Sequence, residues 1–431
     1  MVKLKVVMIC HFSNPLVRKY VKYGCSFFES IARFFLRQPI LHYDFAQWNT
    51  NAIREFEKFQ DEIELHVISP SYNMYNEETI FVENGIHYYF FRDERTFFLK
   101  LRNKFLKRCG GTYSKNRKFI SKKLAEIQPD MIHVIGAENP NYSSSVLDIP
   151  PSIPCIVQLQ TLMLDPDFKK AYPTSKESYE YRTGFERSVL EKTRYIGTPD
   201  EKFQRLVPSL TSFNGYIFKI GLALTEPVDL SYEEKKFDFV YFALNISKAV
   251  DYAIEAFAIA CKGKKDITLD IVGDFSAQLK SQLDTRIAEL GIQKQVFFEG
   301  KQATHDDVIR QIRKSRFALL PLKIDLISGT IRESMANGLP VVSTITPDTP
   351  KLNEKRESIL LSPIGDHQAM AENMLKLLND EEYAEKIRSN AGITASERAN
   401  NEQIIRKWVD AYYACIENFK NGTPIPEKLL F

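Results

Sequence analysis

The stretch that decides the fold is "LPLKIDLISGTIRESMANGLPVVST", residues 320–344. The apolar run "FALLPL" leads into it, and "VVST" ends it. Apolar residues that are continuous rather than alternating indicate buried strands of a parallel sheet. Between these strands, the turn Ser328-Gly329-Thr330 predicts the start of a helix, with either hydroxyl available as its cap, and Gly338 predicts its end. The passage therefore predicts strand, turn, helix and strand.

Two acidic residues flank the start of this helix: Asp325 on the loop before it and Glu333, which we place in its first turn. Free N–H groups and the helix dipole favour a phosphate at such a position, and Gly329 lets a ligand approach the backbone closely. A nucleotide-diphosphate sugar fits, with the diphosphate on the N–H groups and the acids on ribose and sugar hydroxyls. The alternative, in which Glu333 only complements the dipole and Asp325 only shapes a loop, is equally open from this passage.

The alternation of short apolar runs with amphipathic stretches of helical length extends over the whole chain. It predicts an α/β protein with parallel sheets. In the second half, "FDFVYFA", "ITLDIVG" and "KQVFFEG" are further predicted strands, and near residue 220 a turn-rich, charged passage marks a domain boundary. We therefore predict two Rossmann-like, doubly wound domains that face each other across a cleft, with ligands at the carboxyl ends of the strands.

Length and composition exclude several classes of protein. A chain of 431 residues exceeds one ordinary core, and 44% hydrophobic with 26% charged residues is typical of a globular protein. A formal charge of +3 is too small to indicate nucleic-acid binding. Six scattered cysteines without a CxxC predict reduced thiols, and not a disulfide framework or a cysteine metal site. We find no signal peptide and no apolar run of about 20 residues, so we expect a cytoplasmic protein.

One segment is strongly basic. Residues 91–123 contain 12 Lys or Arg against 2 acids, with aromatic and aliphatic residues between them. This combination suits contact with an anionic membrane, here the inner face of the cytoplasmic membrane. A solvated basic surface whose apolar side packs inward is the alternative.

Several stretches of the sequence resemble the same family of enzymes. "D-LISGTIR-ESMANGLPVVST" resembles the E-x7-E region of retaining glycosyltransferases of family 4, which have the GT-B fold. "SKAVDYAIEAFAIA", "ITLDIVGDF" and "VFFEGKQATHDDVIRQIRKSRFALLPL" follow the order of that family's donor-binding domain, and "MIHVIGAENP" and "CIVQLQTL" resemble the acceptor side of bacterial surface-polysaccharide members. The resemblance implies an acceptor-binding domain at residues 1–220, a nucleotide-sugar domain at 221–400, and a helix at 401–431 that crosses back to the first domain.

The resemblance also implies roles for single residues on the donor side. Glu333 would bind the ribose hydroxyls, and Asp325, where the family usually has Glu, would contact the transferred sugar. The backbone of residues 328–330 would hold the diphosphate. Lys248 matches the lysine that neutralises the diphosphate and the leaving nucleotide; a solvated first-turn lysine is its alternative. Together with Lys248, Asp325 and Glu333, the predicted donor contacts are Gly300, Lys323, Ser328, Gly329, Thr330 and Arg332.

Two of these positions depart from the family pattern. The family commonly places an arginine five residues before the lysine, where this chain has Ala243. A missing charge-assisted hydrogen bond costs roughly 1.5–3 kcal/mol, or about 10- to 100-fold in affinity or rate. Lys323 or Arg332, in the same passage, could compensate. The side chain of Asp325 is one methylene shorter than that of Glu, and this length is relevant to which sugar the site selects.

On the acceptor side, three residues follow predicted strands, where ligand contacts are expected. His11 lies in "HFSNP", where the family has a Gly-Gly loop; Glu138 lies in "GAENP"; and Gln160 takes the place of a histidine found in many relatives. A purely structural role is the alternative for His11 and for Glu138.

The implied reaction transfers a sugar from a nucleotide donor to an acceptor hydroxyl with retention of anomeric configuration, in polysaccharide, glycolipid or glycoprotein synthesis. The family works without a catalytic metal or cofactor, so the resemblance implies that the nucleotide sugar is a substrate. The acceptor would be a sugar or a lipid-linked glycan. The rival hypothesis is an inactive GT-B partner in a glycan assembly complex, consistent with Ala243, Asp325 and Gln160. A dinucleotide dehydrogenase is disfavoured because no GxGxxG follows a strand.

Overall fold

The structure is a computed structural model that describes residues 3–24, 30–31, 34–35, 43–95, 111–171, 175–225, 234–245, 249–264, 266–323 and 328–431. The described chain forms two compact units. Unit 1 contains residues 1–42, 46–223 and 401–431 as far as they are described, and unit 2 contains 43–45 and 224–400.

Unit 1 is built on an eight-stranded sheet in the order β3-β4-β2-β1-β5-β6-β7-β8. Its neighbouring strands run parallel, except for the antiparallel β3–β4 pair at one edge. The strands are β1 (Leu4–Ile9), β2 (Ile63–Ser71), β3 (Glu78–Glu83), β4 (Ile86–Arg92), β5 (Met131–Ile135), β6 (Cys155–Gln158), β7 (Tyr195–Thr198) and β8 (Tyr216–Lys219). The helices of unit 1 whose bounds the structure describes, up to residue 223, are α1 (Pro15–Tyr20), α2 (Gln47–Phe56), α3 (Ser114–Ile127), α4 (Pro140–Ser143), α5 (Pro166–Ala171), α6 (Lys176–Lys192) and α7 (Glu201–Leu210).

Unit 2 is built on a six-stranded parallel sheet in the order β11-β10-β9-β12-β13-β14. The strands are β9 (Phe237–Asn245), β10 (Leu269–Asp274), β11 (Val296–Gly300), β12 (Ser315–Leu319), β13 (Val341–Thr344) and β14 (Leu360–Ser362). The helices are α8 (Val250–Ala260), α9 (Ala277–Glu289), α10 (His305–Arg313), α11 (Gly329–Ala336), α12 (His367–Asn379) and α13 (Glu381–Arg398).

Both sheets are doubly wound, with the strand order reversing at one point. In unit 2 the chain builds outward from β9 through β10 to β11 and then returns to the other side of β9 as β12. In unit 1 the same reversal separates β1 from β5. The crevice outside the carboxyl ends of the strands at such a switch point is the usual ligand site of an open α/β sheet. The predicted fold class, two Rossmann-like α/β domains, is confirmed.

The central strands are apolar because both faces of each sheet are covered. In unit 2 the side chains of Phe239, Ile271, Phe317 and Val342 are fully buried or nearly so. Local signals fix the helix starts. The Thr304 side chain accepts from the backbone of Asp307, and the Asp307 carboxylate accepts from that of Thr304, which forms a capping box ahead of α10.

The last helix, α14 (Asn401–Asn421), belongs to unit 1. The buried Trp408 donates from Nε1 to the backbone oxygen of Gly221 at 2.8 Å. One turn further on, Tyr412 Oη lies 2.7 Å from His133 Nδ1 in β5. Burial lowers the pKa of His133 to about 3, against the opposing hydrogen bond to Gln158, so this imidazole is neutral in the core. These contacts join the end of the chain to the middle of the first sheet.

The cysteines in the described part of the chain form no disulfide. Cys10, Cys155, Cys261 and Cys415 are free thiols, and burial raises the pKa of each, that of Cys261 to about 12. Among the helices that the structure describes, none is both long and apolar enough to cross a membrane.

Candidate functional site

The switch point of unit 2 brings together the segments that carry the predicted donor residues. The loop after β9 leads into α8, and the loop after β12 leads into α11. Lys323 Nζ lies 2.8 Å from Asp251 Oδ2, at the second residue of α8, and 4.7 Å from the centre of the Tyr252 ring. This ion pair joins the loop after β12 to the start of α8. Lys248 and Asp325 both lie outside the described residues.

The helix predicted from the sequence begins at Gly329, and its cap is Ser328. The Ser328 backbone is extended, and its Oγ accepts from the Ile331 N–H and lies 2.7 Å from Thr330 Oγ1. Within the described part of the chain, the N–H groups of Gly329 and Thr330 have no acceptor. A Cβ added at Gly329 would meet nothing within 4 Å, so this helix start is open to a ligand. The predicted cap is confirmed, and the open N–H groups suit an anion.

Glu333 is the fifth residue of α11 and not a member of its first turn, which corrects our expectation. The reason is the extended backbone of Ser328, which places the first helical residue at Gly329. The carboxylate of Glu333 therefore interacts only weakly with the helix dipole, because that interaction fades within one turn. Instead, Glu333 Oε1 lies 2.9 Å from Nε2 of His305, the first residue of α10, and both side chains are mostly buried.

His305 is a residue that the sequence analysis did not propose. Burial disfavours its charged form, but the hydrogen bond and charge of Glu333 outweigh that cost, and together with Asp306 and Asp44 they raise the pKa of His305 above its ordinary value. The sequence feature that could have pointed to His305 is its position five residues after Gly300, which ends β11 with φ +68°. His305 therefore orients the carboxylate of Glu333.

We expect the coupling between His305 and Glu333 to depend on pH. The pKa of His305 is raised in the folded state, so the pair stabilises the fold most below the ordinary histidine pKa of about 6.5, and this is lost as pH rises through the raised value. A double-mutant cycle of His305→Gln and Glu333→Gln, measured by urea denaturation, should give a larger coupling energy at pH 6 than at pH 8.5. Equal coupling at both values would contradict a protonated His305.

In unit 1 the three predicted acceptor residues meet around Tyr142. His11, Glu138 and Gln160 follow β1, β5 and β6, on both sides of the switch point. The rings of His11 and Tyr142 are 5.2 Å apart, and the Tyr142 hydroxyl donates to the backbone oxygen of Ile135 at 2.6 Å. Gln160 Nε2 donates to the same oxygen at 3.0 Å. Tyr142 was not proposed from the sequence, because nothing in its local pattern distinguishes it from a core tyrosine.

Glu138 is the most unusual of these residues, because it is only 5% exposed. Its Oε1 accepts from Asn139 Nδ2 at 2.7 Å, and Oε2 has no hydrogen-bond partner in the described part of the chain. Burial raises the pKa of Glu138 to about 7, against the opposing effects of two backbone N–H groups and Arg182. Gly136, at φ +96°, is required beside it, because a Cβ there would lie 2.8 Å from Oε2. Such a group fits a contact with a hydroxyl-bearing ligand.

His11 is neutral in this cluster. Burial and the charge of Arg95 lower its pKa to about 4, although Asp93 acts in the opposite direction. Asp93 is itself buried and accepts hydrogen bonds from Arg95, Asn116 and Asn141. Residues 96–110, the middle part of the basic segment 91–123 predicted to contact a membrane, lie outside the described residues.

Comparison with known proteins finds a family model that matches part of the second half of the chain. Residues 225–393 match the sequence model described as "Glycosyl transferases group 1". The chain is 24% identical over 258 residues to the N-acetyl-alpha-D-glucosaminyl L-malate synthase of Bacillus anthracis, covering 60% of this chain and 66% of that protein. It is 29% identical over 225 residues to the amylovoran biosynthesis glycosyltransferase AmsK of Erwinia amylovora, covering 50% of this chain and 51% of that protein. The match thus spans less than two thirds of either relative.

Among solved structures, HepE of Anabaena in complex with UDP and glucose has the same fold. The TM-score is 0.63 at 14% identity, with 95% of this chain and 100% of that chain covered. The likeness confirms the predicted GT-B fold.

Proposed function

We propose that this chain, whose residues 225–393 match the glycosyl transferases group 1 model, is a retaining glycosyltransferase. It would transfer a sugar from a nucleotide-diphosphate donor to an acceptor hydroxyl. The observation that carries this proposal is the open start of α11 at the switch point of unit 2, with Glu333 one turn away and Lys323 joining it to the start of α8.

Each residue of the proposed donor site would contact either the charged diphosphate or the hydroxyl groups of the nucleotide sugar. The N–H groups of Gly329 and Thr330 would bind the diphosphate, and Lys248, at the other segment of the switch point, would neutralise charge that develops on the leaving nucleotide. Glu333 would accept hydrogen bonds from the ribose hydroxyls, and Asp325 from the transferred sugar. Gly300 and Arg332 complete the proposed donor contacts. The proposed mechanism uses these groups and no catalytic metal or cofactor.

On the acceptor side, we propose that Glu138, His11 and Gln160 contact the acceptor. The buried Oε2 of Glu138 has no hydrogen-bond partner in the described part of the chain, and a carboxyl with a pKa of about 7 can exchange a proton near neutral pH. AmsK is named for amylovoran biosynthesis, which supports a polysaccharide, glycolipid or glycoprotein product. We propose a cytoplasmic enzyme whose residues 91–123 contact the inner face of the membrane when the acceptor is lipid-linked.

The rival hypothesis is a GT-B partner protein without catalysis. Ala243, partly buried near the end of β9, leaves the family's arginine position without a charge and favours this reading. The family match and the two relatives, both named as transferring or synthesising enzymes, favour the enzyme.

Nucleotide binding separates the two hypotheses. In calorimetric titrations with UDP, GDP and ADP, we expect one nucleotide to bind with 1:1 stoichiometry. Glu333→Gln should weaken it at least tenfold, because a charge-assisted hydrogen bond is worth about 1.5–3 kcal/mol. The exposed Glu382, in the first turn of α13, gives the matched control Glu382→Gln, which should bind normally. A mass-spectrometric screen of sugar donors for that nucleotide, with slow donor hydrolysis as the first signal, would then identify the sugar. Failure of all three nucleotides to bind would contradict the enzyme.

A further inference from the structure

A cluster of metal-ligating side chains lies away from the candidate site, at the amino ends of two strands of unit 1. Glu64 and His66 are on β2, and His87 is on the adjacent β4. The parallel register places His66 directly beside His87, and Glu64 lies two residues before His66, hence on the same face of the sheet. The candidate acceptor residues follow the carboxyl ends of the strands. This cluster lies at the amino ends of its strands and is therefore separate from them.

We propose that Glu64, His66 and His87 bind a divalent transition-metal ion, for which Zn²⁺ is the best match. Two imidazoles and one carboxylate are the ligand set that zinc takes when it keeps its fourth position open. Harder ions such as Ca²⁺ and Mg²⁺ prefer oxygen ligands, so two imidazoles disfavour them.

The geometry is close to what such an ion needs. One potential ligand atom from each of the three residues lies within 4.8 Å of the other two. In a tetrahedral site with bonds of about 2.1 Å, ligand atoms stand about 3.4 Å apart, so side-chain shifts of about 1 Å suffice. The rings of His66 and His87 are stacked at 4.6 Å with an angle of 19° between their planes, so one ring must also rotate about its Cβ–Cγ bond to direct its lone pair at a shared ion.

A second residue fixes the orientation of His66. Its Nδ1 lies 3.1 Å from the Tyr89 hydroxyl, and its Nε2 lies 2.8 Å from Glu64 Oε1. If Nδ1 carries the proton and donates to Tyr89, the Nε2 lone pair faces Glu64, where the ion would sit; such outer partners commonly fix ligating histidines. Lys5, whose charge acts on this cluster, donates from Nζ to the backbone oxygen of Ile127 at 3.2 Å.

The ion would fasten β4, and with it the β3–β4 hairpin at the sheet edge, to β2. Since it binds the folded chain, it should raise the unfolding temperature in proportion to the logarithm of its concentration. This role is independent of sugar transfer.

The test uses the full chain without a polyhistidine tag, freed of metal with a chelator. Titration with Co²⁺, followed by visible absorption, and with Zn²⁺, followed by calorimetry, should show one equivalent bound. His87→Gln and Glu64→Gln should each weaken metal binding at least about tenfold. Loss of a residue that only hydrogen-bonds to a metal ligand already costs about 10- to 100-fold, and these two residues would be ligands themselves. These two residues are preferred to the buried His66, whose replacement risks misfolding.

His367→Gln is the matched control, because His367 packs against Tyr252 in unit 2. It should bind both ions as the unmodified chain does, and Zn²⁺ should raise the unfolding temperature of this control but not that of His87→Gln. Absence of binding to the unmodified chain, or equal binding by His87→Gln, would overturn the metal site and leave a stacked histidine pair.

Discussion

Replacing Glu333 with alanine is expected to lower kcat/KM for the nucleotide-sugar donor by about 100-fold or more. In the proposed complex its carboxylate accepts from two ribose hydroxyls, and two charge-assisted hydrogen bonds at the low end of about 1.5 kcal/mol each give about 3 kcal/mol. Lys248→Ala should have an effect of at least the same size, because it removes charge stabilisation that grows as the diphosphate leaves. Lys248→Ala should lower mainly kcat, whereas Glu333→Ala should lower kcat and also raise the KM for the donor.

Initial rates at several donor concentrations measure both effects once the donor is known. Glu333→Ala also removes the partner of His305. Circular dichroism must therefore show that the variant is folded, and His305→Gln measures how much of the loss comes from orientation of the carboxylate alone. The exposed Glu382→Ala should react at the normal rate. Near-normal rates in both Lys248→Ala and Glu333→Ala would refute the donor-site assignment.

Trp408→Ala is expected to lower the free energy of unfolding of unit 1 by about 3–5 kcal/mol, the usual cost of truncating a buried large aromatic side chain. Trp408 is 1% exposed, its ring lies 4.6 Å from that of His133, and its N–H donates to Gly221. Trp408→Phe should cost much less, because it keeps most of the ring, and because the Gly221 oxygen still accepts from Gln158.

Denaturation by urea gives this free energy. The chain has two tryptophans, so in both variants all tryptophan fluorescence comes from Trp48, on α2 of unit 1, while far-UV circular dichroism follows both units. Lys407→Ala, at the exposed neighbouring position of α14, should change the free energy by no more than about 0.5 kcal/mol. An equally small effect of Trp408→Ala would show that α14 contributes little to the stability of unit 1.

The sequence predicted the interior of both sheets well and their edges poorly. Central strands such as β1 and β10 consist mostly of apolar residues, so composition alone indicates them. β3 was missed because it lies at the edge with its positions mostly exposed. Its turn to β4 is Asn84-Gly85, both at positive φ, which is a strong hairpin signal that we did not use.

The candidate site divides in the same way. The cap at Ser328 was predictable because capping depends on neighbouring residues. The contact between His305 and Glu333 was not, because the two residues are 28 positions apart and meet only through the packing of α10 beside α11. The clustering of His11, Glu138 and Gln160 around Tyr142 likewise depends on strand order, which local patterns do not encode.

The membership of α14 in unit 1 has a consequence for the order of biogenesis. On the ribosome, residues 401–421 are made only after every residue of unit 2 has been synthesised. Unit 2 can therefore complete its core during translation, whereas unit 1 waits for its final helix, reversing the usual N-terminal-first order. Until then, Phe56 and His133 lack the cover of Trp408, so the nascent chain exposes an apolar surface that a chaperone could bind.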